Sequence, residues 1–328
     1  MRTRTYLAAS AAAIAIAAFA GQPATAQTFE DGQEVTVMQG FQPGGGSDAL
    51  AQLVQPFLAE ELGVNFVNQY IPGATGAIAW TQLAKQVTPA DQAISITNTP
   101  MLMTNYIMSD AITYTIEEIT PLANVVTDPG VIVVAADSPY QTFDDLLEAA
   151  RANPGTITIG NSGVGGDDFF SSVMIERATG VEFQKIPFQG DGPSWQAALG
   201  GQIDASANNL GITFPQIDAG NLRVLAVFSE ERIEEIPDVP TLRELGHDVV
   251  AGSSRGYSGP AGMSEEAIAA FDAAMQRVVD TPEFREAAAA RAFNIDYMDS
   301  ATYAAFLNSQ EEVFRGIWDE IKDDVDMN

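Results

Sequence analysis

Three glycine-rich loops carry small hydroxyl and carboxyl side chains in a pattern suited to gripping an anion. They read FQPGGGSD (41–48), IPGATG (71–76) and GNSGVGG (160–166), and each lies between a strand-like run and a helix-like one. A helix start offers unpaired backbone N–H groups and the positive end of a dipole, so it attracts a carboxylate without any metal or cofactor. Gly44, Gly45 and Gly46 let the backbone approach a ligand closely. Ser47 can donate its hydroxyl to a carboxylate, cap the helix, or do both. Asp48 would not touch an anion directly and is better suited to ordering waters or loop N–H groups.

Thr75 and Gly76 repeat this arrangement in the second loop, and Ser162, Gly163 and Gly165 in the third. Asn98 and Thr99, at a strand end, could face a cleft or cap the next helix. Asp167 and Asp168 leave two readings open. First-turn aspartates complement a helix dipole, but one could also accept a hydrogen bond from a ligand amine or hydroxyl, or help hold a cation. The D-x-D-x-D-G spacing of a calcium loop is absent. Arg255, in SSRGY (253–257), could take a carboxylate in bidentate fashion or form a salt bridge between two lobes.

Other chemistries find little support. The 328 residues include no cysteine and a single histidine, His247. That removes thiolate nucleophiles and cysteine-held metals, and it argues against a multi-histidine metal site. A serine hydrolase would need a base beside Ser47 or Ser162, and no G-x-S-x-G elbow is present. No catalytic role and no cofactor is expected.

The formal charge is −29, which repels nucleic acid and anionic lipid headgroups. The charges are spread along the chain, as suits a salty surrounding. The first residues, MRTRTYLAASAAAIAIAAFAGQPATAQ, read as a signal peptide: Arg2 and Arg4, an apolar stretch, then Ala24-Thr25-Ala26 before the cut. The apolar run is shorter than the ~20 residues a membrane span needs. Cleavage after Ala26 into the periplasm is expected, leaving a soluble, monomeric protein.

From Val35 onward, strand-like and helix-like runs alternate, which argues for an α/β protein with largely parallel sheets. Leu50, Leu53, Val54, Phe57 and Leu58 mark one helix face, with Pro56 inside it and Gly63 placed to end it. Residues 265–322 read as helical. The repeated strand–glycine loop–helix unit points to two similar lobes.

In order, PGGGSD (43–48), PGATGAIA (72–79), NSGVGG (161–166), GQIDASANNL (201–210), AGNLRVLAVFSEER (219–232), IPDVPTLRELG (236–246) and GPAGMSEEA (259–267) resemble the receptors of tripartite tricarboxylate transporters, the Bug family. The resemblance implies a two-lobed, Venus-flytrap fold of the type II periplasmic-binding class. Residues 27–128 plus 229–328 would form one lobe and 129–228 the other, with crossings near 128–131 and 227–229. It also implies capture of a small carboxylate (a di- or tricarboxylate, an aromatic acid or an amino acid) for delivery to two membrane subunits. A sensor-input protein sharing the fold, or a serine hydrolase, are the other readings.

By this resemblance the first and third loops clamp the carboxylate, and Thr75, Asn98, Asn208 and Arg255 line the rest. Three positions depart from the family pattern. Gln42, after Phe41, stands where relatives have an aromatic or a proline. Asp167-Asp168 replaces small or hydroxyl residues and a histidine, and Asn208 stands where an aspartate is common. All three are expected at or near the cleft.

Overall fold

The computed structural model describes residues 29–322; the expected signal segment lies outside the described residues. The chain starts with β1 (Glu34–Gln39), α1 (Gly46–Leu62), β2 (Asn65–Tyr70), α2 (Ala77–Gln86), β3 (Ala93–Thr99) and α3 (Met101–Met108). A long strand follows, β4 (Ile119–Ala135). Next come α4 (Phe143–Ala152), β5 (Thr158–Asn161), α5 (Asp167–Thr179), β6 (Gln184–Pro187), α6 (Asp191–Leu199), β7 (Ala205–Asn209), α7 (Leu210–Asp218) and β8 (Leu222–Val227). The chain ends with β9 (Gly252–Pro260), α8 (Glu265–Asp280), α9 (Pro282–Ala289), β10 (Ile295–Met298) and α10 (Ser300–Ile321).

Local chemistry accounts for the ends of α1. Leu50, Leu53, Val54 and Leu58 bury one face, while Pro56 sits on the exposed side. There the tertiary amide removes a helix hydrogen bond where water can satisfy the freed carbonyl. Gly63 ends the helix in the left-handed region, φ 70°, its N–H on the Ala59 carbonyl.

The sheet has two halves that share β4. In the first, β1 lies between β2 and β3, all parallel, and β9 joins β3 and β4 by antiparallel pairing. In the second, β5 pairs β6 and β7 in parallel, and β7 and β8 flank the far end of β4. The handover on β4 falls between Pro129, still opposite Gly252, and Gly130, already opposite Asn209. One strand therefore runs through both halves.

The return path differs from the expectation. Leu242 and Val249 are buried with Ile132, Val134, Phe143 and Leu147 of the second half. The chain thus re-enters the first half at Gly252 rather than at 227–229, because those apolar side chains hold the intervening segment on the second core. β10 also interrupts the C-terminal region expected to be helical, pairing Ile295 with Val126 and Met298 with Asn124.

Each half has apolar layers of its own. Around the first sheet, one layer packs Leu50, Val54, Phe271, Met275 and Phe284, and the other packs Trp80, Leu102, Tyr114, Tyr303 and Leu307. α10 also reaches the other half: Phe314, Ile317 and Trp318 pack on Phe169, Phe170 and Val173 of α5. Tyr303 Oη and Thr97 Oγ1, 3.1 Å apart, tie its start to β3.

β9 runs between β3 and β4, and a Cβ on Gly256 would lie 2.0 Å from the Ala123 carbonyl oxygen. Backbone flanked on both sides by ladders cannot easily move. Gly256→Ala is expected to destabilise the protein by about 1–3 kcal/mol or more, read as a lower urea midpoint.

Candidate functional site

The glycine-rich loops of the two halves meet face to face. Thr75, in the left-handed conformation (φ 52°, ψ 44°), donates its hydroxyl to the Val164 carbonyl at 3.3 Å. Thr104 donates to the Gly165 carbonyl at 2.6 Å. Gly163, φ 128°, leaves so little room that a Cβ would sit 2.9 Å from the Thr75 hydroxyl. A cleft of about 260 Å³ opens here, lined by Phe41, Thr75, Ser162, Gly163, Val164, Phe188 and neighbouring residues. Phe41 is held edge-on against Trp80, ring centroids 6.2 Å apart.

The start of α1 is braced from several sides. Ser47 Oγ donates to Asn98 Oδ1 at 2.9 Å, which uses its proton inside the protein. Asp48 accepts the Gly44 N–H at 2.8 Å and the Tyr70 hydroxyl at 2.6 Å. These bonds fix the loop's shape. Gly45 is the extended residue before the helix, Gln42 is exposed, and a Cβ on Gly76 would strike the Trp80 ring at 2.6 Å.

The third loop keeps spare hydrogen-bonding capacity. Asp168 accepts the Ser162 N–H at 3.2 Å, and Asn161 Oδ1 accepts the Gly163 N–H at 3.0 Å. Asn161 Nδ2 is buried with no partner, and the buried Ser162 Oγ lies beside the Asp168 carboxyl. A buried polar group left unpaired costs about 1–3 kcal/mol, so this amide favours a bound group able to satisfy it.

Beneath the loops lies a buried polar chain. Arg255 Nη1 donates to Asp128 Oδ2 at 2.8 Å, and Nη2 donates to Asn209 Oδ1. Asn209 Nδ2 donates to Asp167 Oδ2 at 2.8 Å. Asp128 also accepts the Gly211 N–H at 2.8 Å. Arg255 Nε has no partner and faces Gly46, where a Cβ would lie 2.4 Å away. Of the two roles open to Arg255, the structure shows an ion pair with Asp128. Asn208 donates to the Asp191 carbonyl at 3.1 Å, holding the start of α6.

Burial raises the carboxyls here. Asp128 is pushed up to about 6, with Arg255 and the Gly211 N–H limiting the rise. Asp167 also reaches about 6 through burial and then repulsion from Asp191. Asp168 stands well above the usual range, from burial and then the nearby Asp167 and Asp191. Burial alone would lower Arg255, but Asp128, Asp191 and Asp167 outweigh it and raise it.

Sequence reasoning overlooked Asp128, Asp191, Asn209 and Asn161. Asp191 had a legible signal, since Gly190-Asp191-Gly192 is a fourth glycine-flanked helix start. Asp128 and Asn209 had none, because each is identified only by the partner it meets across the fold. His247 packs edge-on to Phe143, centroids 6.1 Å apart, and hydrogen-bonds to neither serine.

Residues 50–322 match the model of the tripartite tricarboxylate transporter family receptor. The chain belongs to this receptor family. The UPF0065 protein of the gbd 5' region of Cupriavidus necator is 29% identical over 310 residues, covering 93% of this chain and 94% of that one. A solved periplasmic transporter protein is 27% identical, with a TM-score of 0.83 over 87% of this chain and 96% of its own. MatC of Rhodopseudomonas palustris, solved with bound malate, shares the fold at 22% identity, with a TM-score of 0.80 over 87% of this chain and 98% of its own. The receptor is thus a two-lobed α/β solute-binding protein. No helix among its described residues is long and apolar enough to cross a membrane.

Two outcomes follow for the buried chain. Well below pH 4, Asp167 is protonated both folded and unfolded, and its titration leaves stability unchanged. As pH rises toward 6 the unfolded chain ionises first, so stability is lost with rising pH. Asp167→Asn should therefore gain thermal stability relative to the native protein between pH 4 and 7. Arg255→Ala strands Asp128 and should destabilise by about 3–5 kcal/mol in urea titrations at pH 7.

Proposed function

We propose that the receptor captures a small carboxylate between its lobes in the periplasm and presents it to the two membrane subunits of a tripartite transporter. The observation that carries this reading is the meeting of loops 41–48 and 71–76 with loop 160–166 around one cleft. Asn161 Nδ2, buried and unpartnered, and the Ser162 hydroxyl can donate to a carboxylate there. The malate bound by MatC, a protein of the same fold, is a ligand of this class. Phe41, Thr75, Ser162 and Gly163 line the cleft, while Gln42, Gly45, Gly46, Ser47, Asp48, Gly76, Asn98, Gly165, Asp167, Asn208 and Arg255 lie outside its lining.

An anion held by loops from both halves favours the closed arrangement, because a ligand shifts a two-state equilibrium only by its differential affinity. Binding without chemistry suits the site, as the single histidine, His247, packs on Phe143 and hydrogen-bonds to neither Ser47 nor Ser162. The protein acts as a monomer exported by a signal peptide cut after Ala26.

A thermal-shift panel of di- and tricarboxylates, aromatic acids and amino acids tests the reading, since a ligand specific for the folded state raises its stability. At least one member should raise the melting temperature; no shift across the panel would overturn it. Ser162→Ala should weaken that ligand by about 0.5–1.5 kcal/mol in calorimetry, the net worth of one hydrogen bond.

A further inference from the structure

The last helix is attached to both lobes at once. The first turns of α10 belong to the first lobe: Tyr303 and Leu307 are buried in one layer with Trp80, Leu102 and Tyr114. Its last turns belong to the second. Phe314, Ile317 and Trp318 pack on the cluster that Phe169, Phe170 and Val173 of α5 form with Ile321. Ile321 is the final residue of α10, yet it is only 1% exposed. Arg177 of α5 adds an ion pair with Glu320 at 3.4 Å, but both side chains are at least half exposed. Such a pair contributes little, so the hold on α5 is apolar.

The same cluster reaches the cleft. Val164, which lines the cleft and whose carbonyl accepts the Thr75 hydroxyl, packs on it, as does Met108 at the end of α3. The third loop is thus seated on side chains that the end of α10 helps to cover.

Gly316 stands just before the gripping turn. It is exposed, and a Cβ placed on it would meet nothing within 4 Å. Neither packing nor close approach therefore requires a glycine there. Inside a helix a glycine is weaker than alanine, because its unfolded backbone has more freedom to lose. One stiff helix cannot remain seated on both lobes while they part. The joint that gives is the one the sequence has loosened, one residue ahead of Ile317 and Trp318.

We propose that α10 is a strap that holds the cleft closed, and that its turn 317–321 lifts from α5 at Gly316 when the lobes part. Burial of Phe314, Ile317 and Trp318 favours the closed form, and the glycine keeps that hold releasable. Contacts made in only one of two states shift the equilibrium toward it, as a ligand does. The strap thereby sets how often the empty cleft stands open. This goes beyond the carboxylate reading and does not depend on it, since it holds for whichever solute the cleft takes.

The lack of native cysteines allows a direct test on the ligand-free protein. Ile78, at the start of α2 in the first lobe, and Gln196, on α6 in the second, are both exposed. Spin labels on Ile78→Cys and Gln196→Cys would report the distance between the lobes by double electron–electron resonance. In this labelled protein Trp318→Ala should raise the fraction at the longer, open distance by about three-fold or more, with circular dichroism unchanged. Adding Gly316→Ala to Trp318→Ala should lower that fraction by about two-fold or more, because the stiffer helix resists lifting. Phe314→Leu, a milder change at the same contact, should shift the distances the same way by a smaller factor, and it serves if Trp318→Ala does not fold. Distances unchanged by the folded contact variants would overturn the strap. An open fraction that Gly316→Ala leaves the same would overturn the release point given to Gly316.

Discussion

The buried pairing of Arg255 with Asp128 is the constraint around which the rest of the receptor is arranged. Both residues are fully buried and both lie on the strands that join the halves: Arg255 on β9, and Asp128 on β4 just before its change of partners. Removing two ions from water costs several kcal/mol each, and the attraction between them compensates only when the remaining donors and acceptors are also met. Here the second Asp128 oxygen takes a backbone N–H from α7, and the second guanidinium nitrogen reaches Asn209 at the end of β7. The seam is thereby pinned in register at the point where the halves meet, and the loops above it are carried on a fixed base.

Close backbone approach is the second requirement. Gly46 admits the Arg255 side chain, and Gly163 admits Thr75 from the other half. A side chain at either position would push apart surfaces that must touch for the cleft to form. The C-terminal helix adds an apolar tie across the same divide, with Phe314 and Phe170 rings 5.6 Å apart. Polar contacts at the loops and apolar contacts at α10 thus favour the same closed arrangement from two sides.

The overall charge and the site call for different scales of argument. A formal charge of −29 repels an approaching anion at long range, but salt screens that field beyond about 8 Å. Inside the cleft the local groups decide. Neutral donors and helix starts lie along loop 160–166, while carboxyls lie at the bases of α5 and α6. The helix starts also explain how aspartates come to stand there: first-turn carboxyls favour the positive end of the dipole even where burial raises their affinity for protons.

Much of the architecture was legible along the chain because it is written in local patterns. Apolar spacing from Leu50 to Leu58, the stop at Gly63 and the alternating strands each depend on neighbours a few residues away. The part of β4 before Val131 was not legible, since Pro121, Asn124 and Asp128 interrupt the apolar run. The strand accommodates the proline at an irregularity in register between Pro121 and Ala123. β10 was hidden for a similar reason, being a short strand stabilised by β4 rather than by its own sequence. At the site, the glycine loops and their hydroxyls stood out because a strand–glycine–helix unit has a local signature. The sequence by itself therefore determined the kind of protein and the loops that would face a ligand. Only the tertiary structure decided that Arg255 belongs to Asp128 and that Asp191 joins Asp167, because pairing between charges depends on distances through space that spacing along a chain does not record.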